Sequence, residues 1–276
     1  MLTRILSGAV LLVLLVILFI LGGPTLAITL MVVSLIGLYE FYRAVGVLED
    51  NKKVNGLTLA GYIGVVLVYI YLYLSNGDTS LLVFAPVIVC ILMLAICVLS
   101  YPKYDAVKVM YAVFGYCYVP LMLSFIYAIR MLNDGIFLVW LIFFASWICD
   151  TFAYFTGVLF GKHKLTPLLS PKKSIEGSIG GVFFATILAG VYGYVIKDYL
   201  TTDFNVVLAF AVVGAVGSLV SQIGDLAASA IKRHFDIKDY GNLIPGHGGI
   251  MDRFDSMITT APMIYLVAII FTRLAG

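Results

Sequence analysis

VVLAFAVVGAVGSLVSQIGDLAASAI, residues 206–231, runs for 26 residues with a single ionisable side chain, Asp225. About 20 apolar residues are what a helix needs to cross the hydrocarbon of a bilayer, where backbone amides and carbonyls must bond within the segment. The stretch is therefore read as a transmembrane helix. The segment that follows, KRHFDIKDYGNLIPGHGGIMDRFD at residues 232–255, reverses the composition with Lys232, Arg233, Asp236, Lys238, Asp239, His247, Asp252, Arg253 and Asp255.

The rest of the chain resembles the first of these stretches. Its 276 residues are 62% hydrophobic and 12% charged, with a mean hydropathy of +1.08. Such values exclude a soluble globular domain and predict an all-α polytopic membrane protein. Apolar runs fall at 5–22, 24–42, 57–74, 80–99, 107–129, 135–160, 177–196, 206–231 and 256–273, which predicts nine spans. The first run follows Arg4 and has the length of a signal peptide. It lacks a clear small-residue cleavage site and a second span follows at once, so a retained helix is the better reading. Cys90, Cys97, Cys117 and Cys149 all lie inside apolar runs, where a thiol behaves as a small hydrophobe; no disulfide framework or cysteine metal site is expected.

Nine spans divide the cations unevenly. Of the 17 Lys and Arg, 14 fall on the side of the N-terminus, and only Arg130, Lys197 and Arg273 on the other. Cytoplasmic loops carry such an excess, so the N-terminus and both long polar loops, 161–176 and 232–255, are expected to face the cytoplasm and the C-terminus the outside. The chain reads as a single integral membrane domain, 1–276, with simple apolar helices to residue 130 and the chemistry in 135–276. No linker, low-complexity tract or internal repeat is evident. Glu40, beside Arg43 at the end of the second run, is read as an interfacial residue that pairs locally.

Ionisable side chains within a span are costly and are functional candidates by default. Asp150 and Asp225 qualify, although each could instead pair with a Lys or Arg on a neighbouring helix. Helical spacing puts Asp225, Ser229 and Lys232 on one face, and Ser146, Asp150 and Tyr154 on another. In the loop, Lys232, Arg233 and Lys238 suit phosphates, and Asp252 and Asp255 offer the oxygen ligands that hard divalent cations take. Gly246, Gly248 and Gly249 flank His247 and allow backbone amides to approach a ligand. These are the parts of a metal-assisted phosphoryl or nucleotidyl transfer site. In the earlier loop, Lys162 and Lys164 could be no more than a topology signal, whereas Ser170 and Pro171 before Lys172 and Lys173 predict a turn that presents both lysines at the mouth of the seventh span. Gly157 to Lys162 is superficially similar to a phosphate loop but is one residue short and has no Ser or Thr after the lysine.

Ser229-Ala-Ile-Lys232-Arg233, Lys238-Asp239 and Ile244-Pro-Gly-His247-Gly-Gly-Ile-Met-Asp252-Arg253-Phe-Asp255 together resemble the signature of the phosphatidate cytidylyltransferases, or CDP-diacylglycerol synthases. SPKKSIEG at 170–177 and DTFAYFTG at 150–157 resemble that family too. The resemblance implies nine transmembrane helices and a Mg2+-dependent conversion of CTP and phosphatidate into CDP-diacylglycerol and pyrophosphate. It also implies a multi-pass protein of the bacterial inner membrane with its active site on the cytoplasmic side. The expected partners are the two substrates and the lipid bilayer, with a homodimer as one assembly and no nucleic acid. On this reading Asp225 and Asp252 hold the metal, with Asp255 as a further ligand. Lys232, Arg233 and Lys238 neutralise phosphate charge, Lys172 and Lys173 close over the same anions, and Ser229 and His247 position phosphate or nucleotide. Asp150, Ser170 and Arg253 complete the substrate side. Two rivals remain: a CTP-dependent polyprenol or lipid kinase, and a cation-coupled transporter with Asp150 and Asp225 as its ion site. A CDP-alcohol phosphotransferase is disfavoured because its successive aspartates on one helix are missing.

Overall fold

The structure is a computed structural model that describes residues 13–48, 53–200, 205–243 and 248–275, with side chains as far as residue 271. The chain winds through helices α1 (residues 13–21), α2 (Gly23–Ala44), α3 (Gly56–Leu74), α4 (Phe84–Leu99), α5 (Ala106–Met131), α6 (Gly135–Phe160), α7 (Ile175–Ile196), α8 (Val206–His234) and α9 (Met251–Ala275). Among the described residues seven of these, α2, α3 and α5 to α9, are long and apolar enough to cross a membrane. The all-helical polytopic class is as the sequence predicts. The predicted run at 80–99 is helical only as Phe84–Leu99, 16 residues, too short to count with the seven. The start of the first run, with Arg4, lies outside the described residues, as do Lys52, residues 201–204 and residues 244–247, His247 among them.

Contacts divide the chain into two units, residues 1–131 with 235–254, and residues 132–234 with 255–276.

In the first unit, positive φ angles at Gly22 (59°) and Gly23 (47°) break α1 from α2, a conformation that glycine adopts without steric cost, and Pro24 starts α2. Arg130 Nε donates to the carbonyl of Phe19 at 2.7 Å, satisfying one of the acceptors left at that break. Asn55 and Thr58 cap α3 reciprocally. Buried hydroxyls then join the helices: Ser34 to Tyr69 at 2.8 Å, and Tyr42 to the carbonyl of Ala112 at 2.9 Å. In apolar surroundings a hydroxyl left alone would be costly, and each of these has found a partner. Within α5, the π-turn Cys117–Leu121 takes up Pro120, which has no amide proton to give.

In the second unit α7 packs against both α6 and α8, and small residues let the backbones approach. A Cβ on Gly181 would stand 2.7 Å from the carbonyl oxygen of Cys149 in α6, and one on Gly214 of α8 would stand 2.7 Å from the Cβ of Ala189 in α7. The loop between α6 and α7 is a hairpin of two short antiparallel strands, β1 (Lys164–Thr166) and β2 (Ser170–Ser174), with Lys164 opposite Ser174 and Thr166 opposite Ser170. Lys172 and Lys173 are thus presented by a strand, not by the turn expected.

Candidate active site

The second unit holds a cavity of about 540 Å³ lined by three helices and the hairpin. α6 contributes Asp150, Tyr154 and Val158, and α8 contributes Gln222 and Asp225. The hairpin contributes Lys164, Leu165, Ser170, Lys172 and Lys173.

Local structure explains how each arrives there. In α6 the π-turn Phe144–Ile148 ends immediately before Cys149 and Asp150, and such turns change the face that the following residues present. At the start of α7, Ser174 is the N-cap and its hydroxyl accepts from the amide of Gly177 at 3.1 Å. A Cβ on Gly177 would stand 2.6 Å from the carbonyl oxygen of Ala153, so the glycine of SPKKSIEG is required for α7 to rest on α6. The base of the hairpin is fastened by Glu176, which accepts from the amide of Lys162 at 3.1 Å and stands 2.6 Å from His163 Nδ1.

Within the lining, Lys173 Nζ and Asp225 Oδ2 form an ion pair that joins the hairpin to α8. Burial pulls the Lys173 ammonium below its ordinary value, while the carboxylates of Asp150 and Asp255 push it back up. The alternative that Asp225 pairs with a cation for packing is therefore realised in part, by a lysine of the connecting loop and not of a neighbouring helix. One turn deeper on α8, Gln222 ties the three helices together. Its Oε1 accepts from Ser178 Oγ, and its Nε2 donates to the carbonyl of Ser178 at 3.1 Å and meets Cys149 Sγ at 3.4 Å.

In the first unit, two buried carboxylates, Asp252 and Glu40, bond to backbone amides of residues 240–243 and 248–254. Asp252 Oδ2 accepts from the amides of Tyr240 at 2.8 Å and Gly249 at 3.0 Å. Glu40, 4% exposed, accepts from the amide of Met251 at 2.9 Å, the first residue of α9. A carboxylate at a helix N-terminus meets both an unpaired amide and the positive end of the helix dipole. The reading of Glu40 as an interfacial residue paired with Arg43 is thus corrected: the Arg43 guanidinium donates to the carbonyl of Tyr240, and Glu40 is a buried cap. α9 also starts earlier than the predicted 256, so Asp252, Arg253 and Asp255 are helical and not loop residues.

The cytidylyltransferase family model matches residues 2–271. The chain belongs to the cytidylyltransferase family. It is 32% identical over 270 residues to a phosphatidate cytidylyltransferase of Staphylococcus haemolyticus, covering 96% of this chain and 98% of the relative. A protein of the same name from Bacillus subtilis is 30% identical over 275 residues, 98% of each chain. A third, from Staphylococcus saprophyticus, is 35% identical over 179 residues, 64% of this chain and 66% of the relative. The chain is thus an enzyme of the nucleotidyltransferase class, as its sequence suggests.

Of the residues expected at the site of this cytidylyltransferase, the cavity unites Asp150, Ser170, Lys172, Lys173 and Asp225. Ser229 and Lys232 follow Asp225 on the same helix at spacings that share its face, Lys232 about 10 Å further along the axis. Arg233 lies with Lys232 in the last turn of that helix, and Asp255, on α9, acts on Lys173 through its charge. Lys238, Asp252 and Arg253 belong to the first unit, so the expected metal ligands are divided between the two units. Lys238 is exposed, and Arg253 Nε is buried with no hydrogen-bond partner among the described residues. The sequence reading missed Gln222 and Ser178 as site residues. A glutamine in an apolar run three positions before Asp225 was the available signal.

Proposed function

We propose that this cytidylyltransferase condenses CTP with phosphatidate, giving CDP-diacylglycerol and pyrophosphate. The observation that carries the reading is one cavity in which two carboxylates, Asp150 and Asp225, meet three lysines, Lys164, Lys172 and Lys173, among helices long enough to span a membrane. Acidic and basic groups together suit a polyphosphate with a metal, and their place among spanning helices suits a lipid co-substrate. The name shared by the two relatives that cover nearly the whole chain supports the same reaction. The cation count favours the cytoplasmic face of a bacterial inner membrane.

The donor set fits Mg2+. Among the described residues no three His, Cys, Asp or Glu side chains form a cage, but this ion takes one or two carboxylates and completes its shell with water and substrate phosphate. Asp225, already set against a cation in Lys173, is the ligand the cavity favours, with Asp150 in the same lining; the family resemblance adds Asp255. When bound, Mg2+ supplies charge neutralisation on the nucleotide phosphates.

The chain's own groups supply position and charge. Lys164, Lys172 and Lys173 hold phosphate oxygens and offset the repulsion between two anionic reactants. Tyr154, Val158 and Leu165 give the cavity an apolar side for the lipid. An oxygen of the lipid phosphate attacks the α-phosphorus of CTP, and the bond from that phosphorus to the α,β-bridging oxygen breaks. Pyrophosphate leaves with the electron pair. The phosphate monoester is the nucleophile, so no side-chain nucleophile is needed.

Incubation of the purified protein with α-labelled CTP and phosphatidate, with and without Mg2+, tests the reading. Label in the lipid fraction, with one pyrophosphate per labelled lipid, is expected only with Mg2+. Release of CDP with a newly phosphorylated lipid would establish the kinase instead.

A further inference from the structure

Leu168, at the turn between β1 and β2, is 91% exposed, more than any other large hydrophobic side chain exposed among the described residues. A single exposed leucine is ordinarily without meaning. The position of this one is not ordinary. Near the end of α6, Phe155, Val158, Leu159 and Phe160 are all between 56% and 72% exposed, so exposed apolar surface continues to the base of the hairpin. That base is fixed by the Glu176 contacts to Lys162 and His163 and by the Ser174 cap. Each strand is short, and a three-residue strand spans about 10 Å. The headgroup layer on each side of the hydrocarbon is of similar thickness, roughly 5–8 Å. The tip therefore stays within reach of the interface.

Charge points the same way. Residues 161–175 contain Lys162, His163, Lys164, Lys172 and Lys173 and no acidic side chain. Lys162, Lys164 and Lys172 are exposed. An apolar side chain beside a basic cluster provides the two signals that together hold a segment on an anionic membrane surface.

We propose that the hairpin is a membrane-surface anchor, in which Leu168 enters the interface of an anionic bilayer and Lys162, exposed at the hairpin's base and outside the cavity lining, lies at its phosphates. The strands that end in this tip are those that carry Lys164, Ser170, Lys172 and Lys173 to the cavity. Docking of the tip then holds the basic wall of the cavity in place. The anchor does not depend on which lipid is the substrate.

The test uses the full chain in phosphatidylcholine vesicles with or without about one third phosphatidylglycerol, the anionic component. A solvent-sensitive fluorophore is attached at Leu168→Cys and, as a control in an exposed loop, at Asp239→Cys, with the unsubstituted protein reporting labelling of the native thiols. Lipids with a nitroxide high on the acyl chain are the quencher. Quenching at position 168 should exceed that at 239 by at least about twofold in the anionic vesicles, and exceed its own value in neutral vesicles by a similar factor. Quenching at 168 no greater than at 239 would overturn the anchor. Equal quenching at 168 in both kinds of vesicle would overturn the anionic partner.

Discussion

Replacing Lys173 with Met removes the cation that faces Asp225 while keeping the aliphatic length of the side chain. The Lys173 and Asp225 side chains are 29% and 24% exposed. A fully exposed pair contributes about 0–1 kcal/mol, and breaking a fully buried one costs about 3–5 kcal/mol. With roughly a quarter of each side chain exposed, the loss should lie between, at about 2 kcal/mol, equivalent to about a 30-fold fall in the folding equilibrium. Part of that loss comes from Asp225 left unpaired while Asp150 and Asp255 also lack their cation. Unfolding in mixed micelles with rising denaturing detergent measures it. A double-mutant cycle with Asp225→Asn isolates the pair, because the second substitution removes the charge that the first leaves stranded, and the coupling should be about 2 kcal/mol. Losses that add to within about 0.5 kcal/mol would show that the two residues do not interact, and would refute the account of the ion pair in the cavity's lining.

The two carboxylates of the first unit should behave differently from each other. Glu40→Ala strands the amide of Met251 and should cost about 1–3 kcal/mol by the same unfolding measurement, while Glu40→Gln, which retains an acceptor, should cost less. Asp252→Asn keeps an oxygen for the amides of Tyr240 and Gly249, so stability should change by less than about 1 kcal/mol. If Asp252 also serves the metal, the same variant should lose cytidylyl transfer and its Mg2+ dependence; unchanged turnover across Mg2+ concentrations would remove it from the metal site. Gly181→Ala places a Cβ 2.7 Å from the carbonyl oxygen of Cys149 and 2.9 Å from the Cβ of Ala153, and should cost about 1–3 kcal/mol as α6 and α7 separate. A thermal midpoint equal to that of the unsubstituted protein would show that the helices are not in contact there.

The spanning helices were legible because length and hydropathy alone decide them: 135–160 and 206–231 reappear as Gly135–Phe160 and Val206–His234. The hairpin was not, since strands of three and five residues are too short for a period of two to emerge, and SPKKS reads equally well as a turn. Asp225 was found because a carboxylate in an apolar run stands out, but its partner lies 52 residues away and no local pattern points to it. Glu40 failed for a related reason. Arg43 three residues on invites a local ion pair, and the contact that prevails is tertiary, to an amide 211 residues along the chain. Local spacing proposes pairs, and burial chooses among them.

Charge in the cavity limits what it can hold. Its lining carries two carboxylates, Asp150 and Asp225, against the ammonium groups of Lys164, Lys172 and Lys173, a formal surplus of one positive charge. The carboxylate of Asp255, felt at Lys173, cancels even that. In the proposed reaction a nucleoside triphosphate and a lipid phosphate together would bring several negative charges into a region walled by apolar helices, where unneutralised charge is far more costly than in water. Lysines alone would serve a site for anions, and the two aspartates would then be a liability. On the proposed reading their presence is accounted for: positive charge arrives with the nucleotide and needs oxygen ligands when it does, which is the physical reason to propose Mg2+ at Asp225.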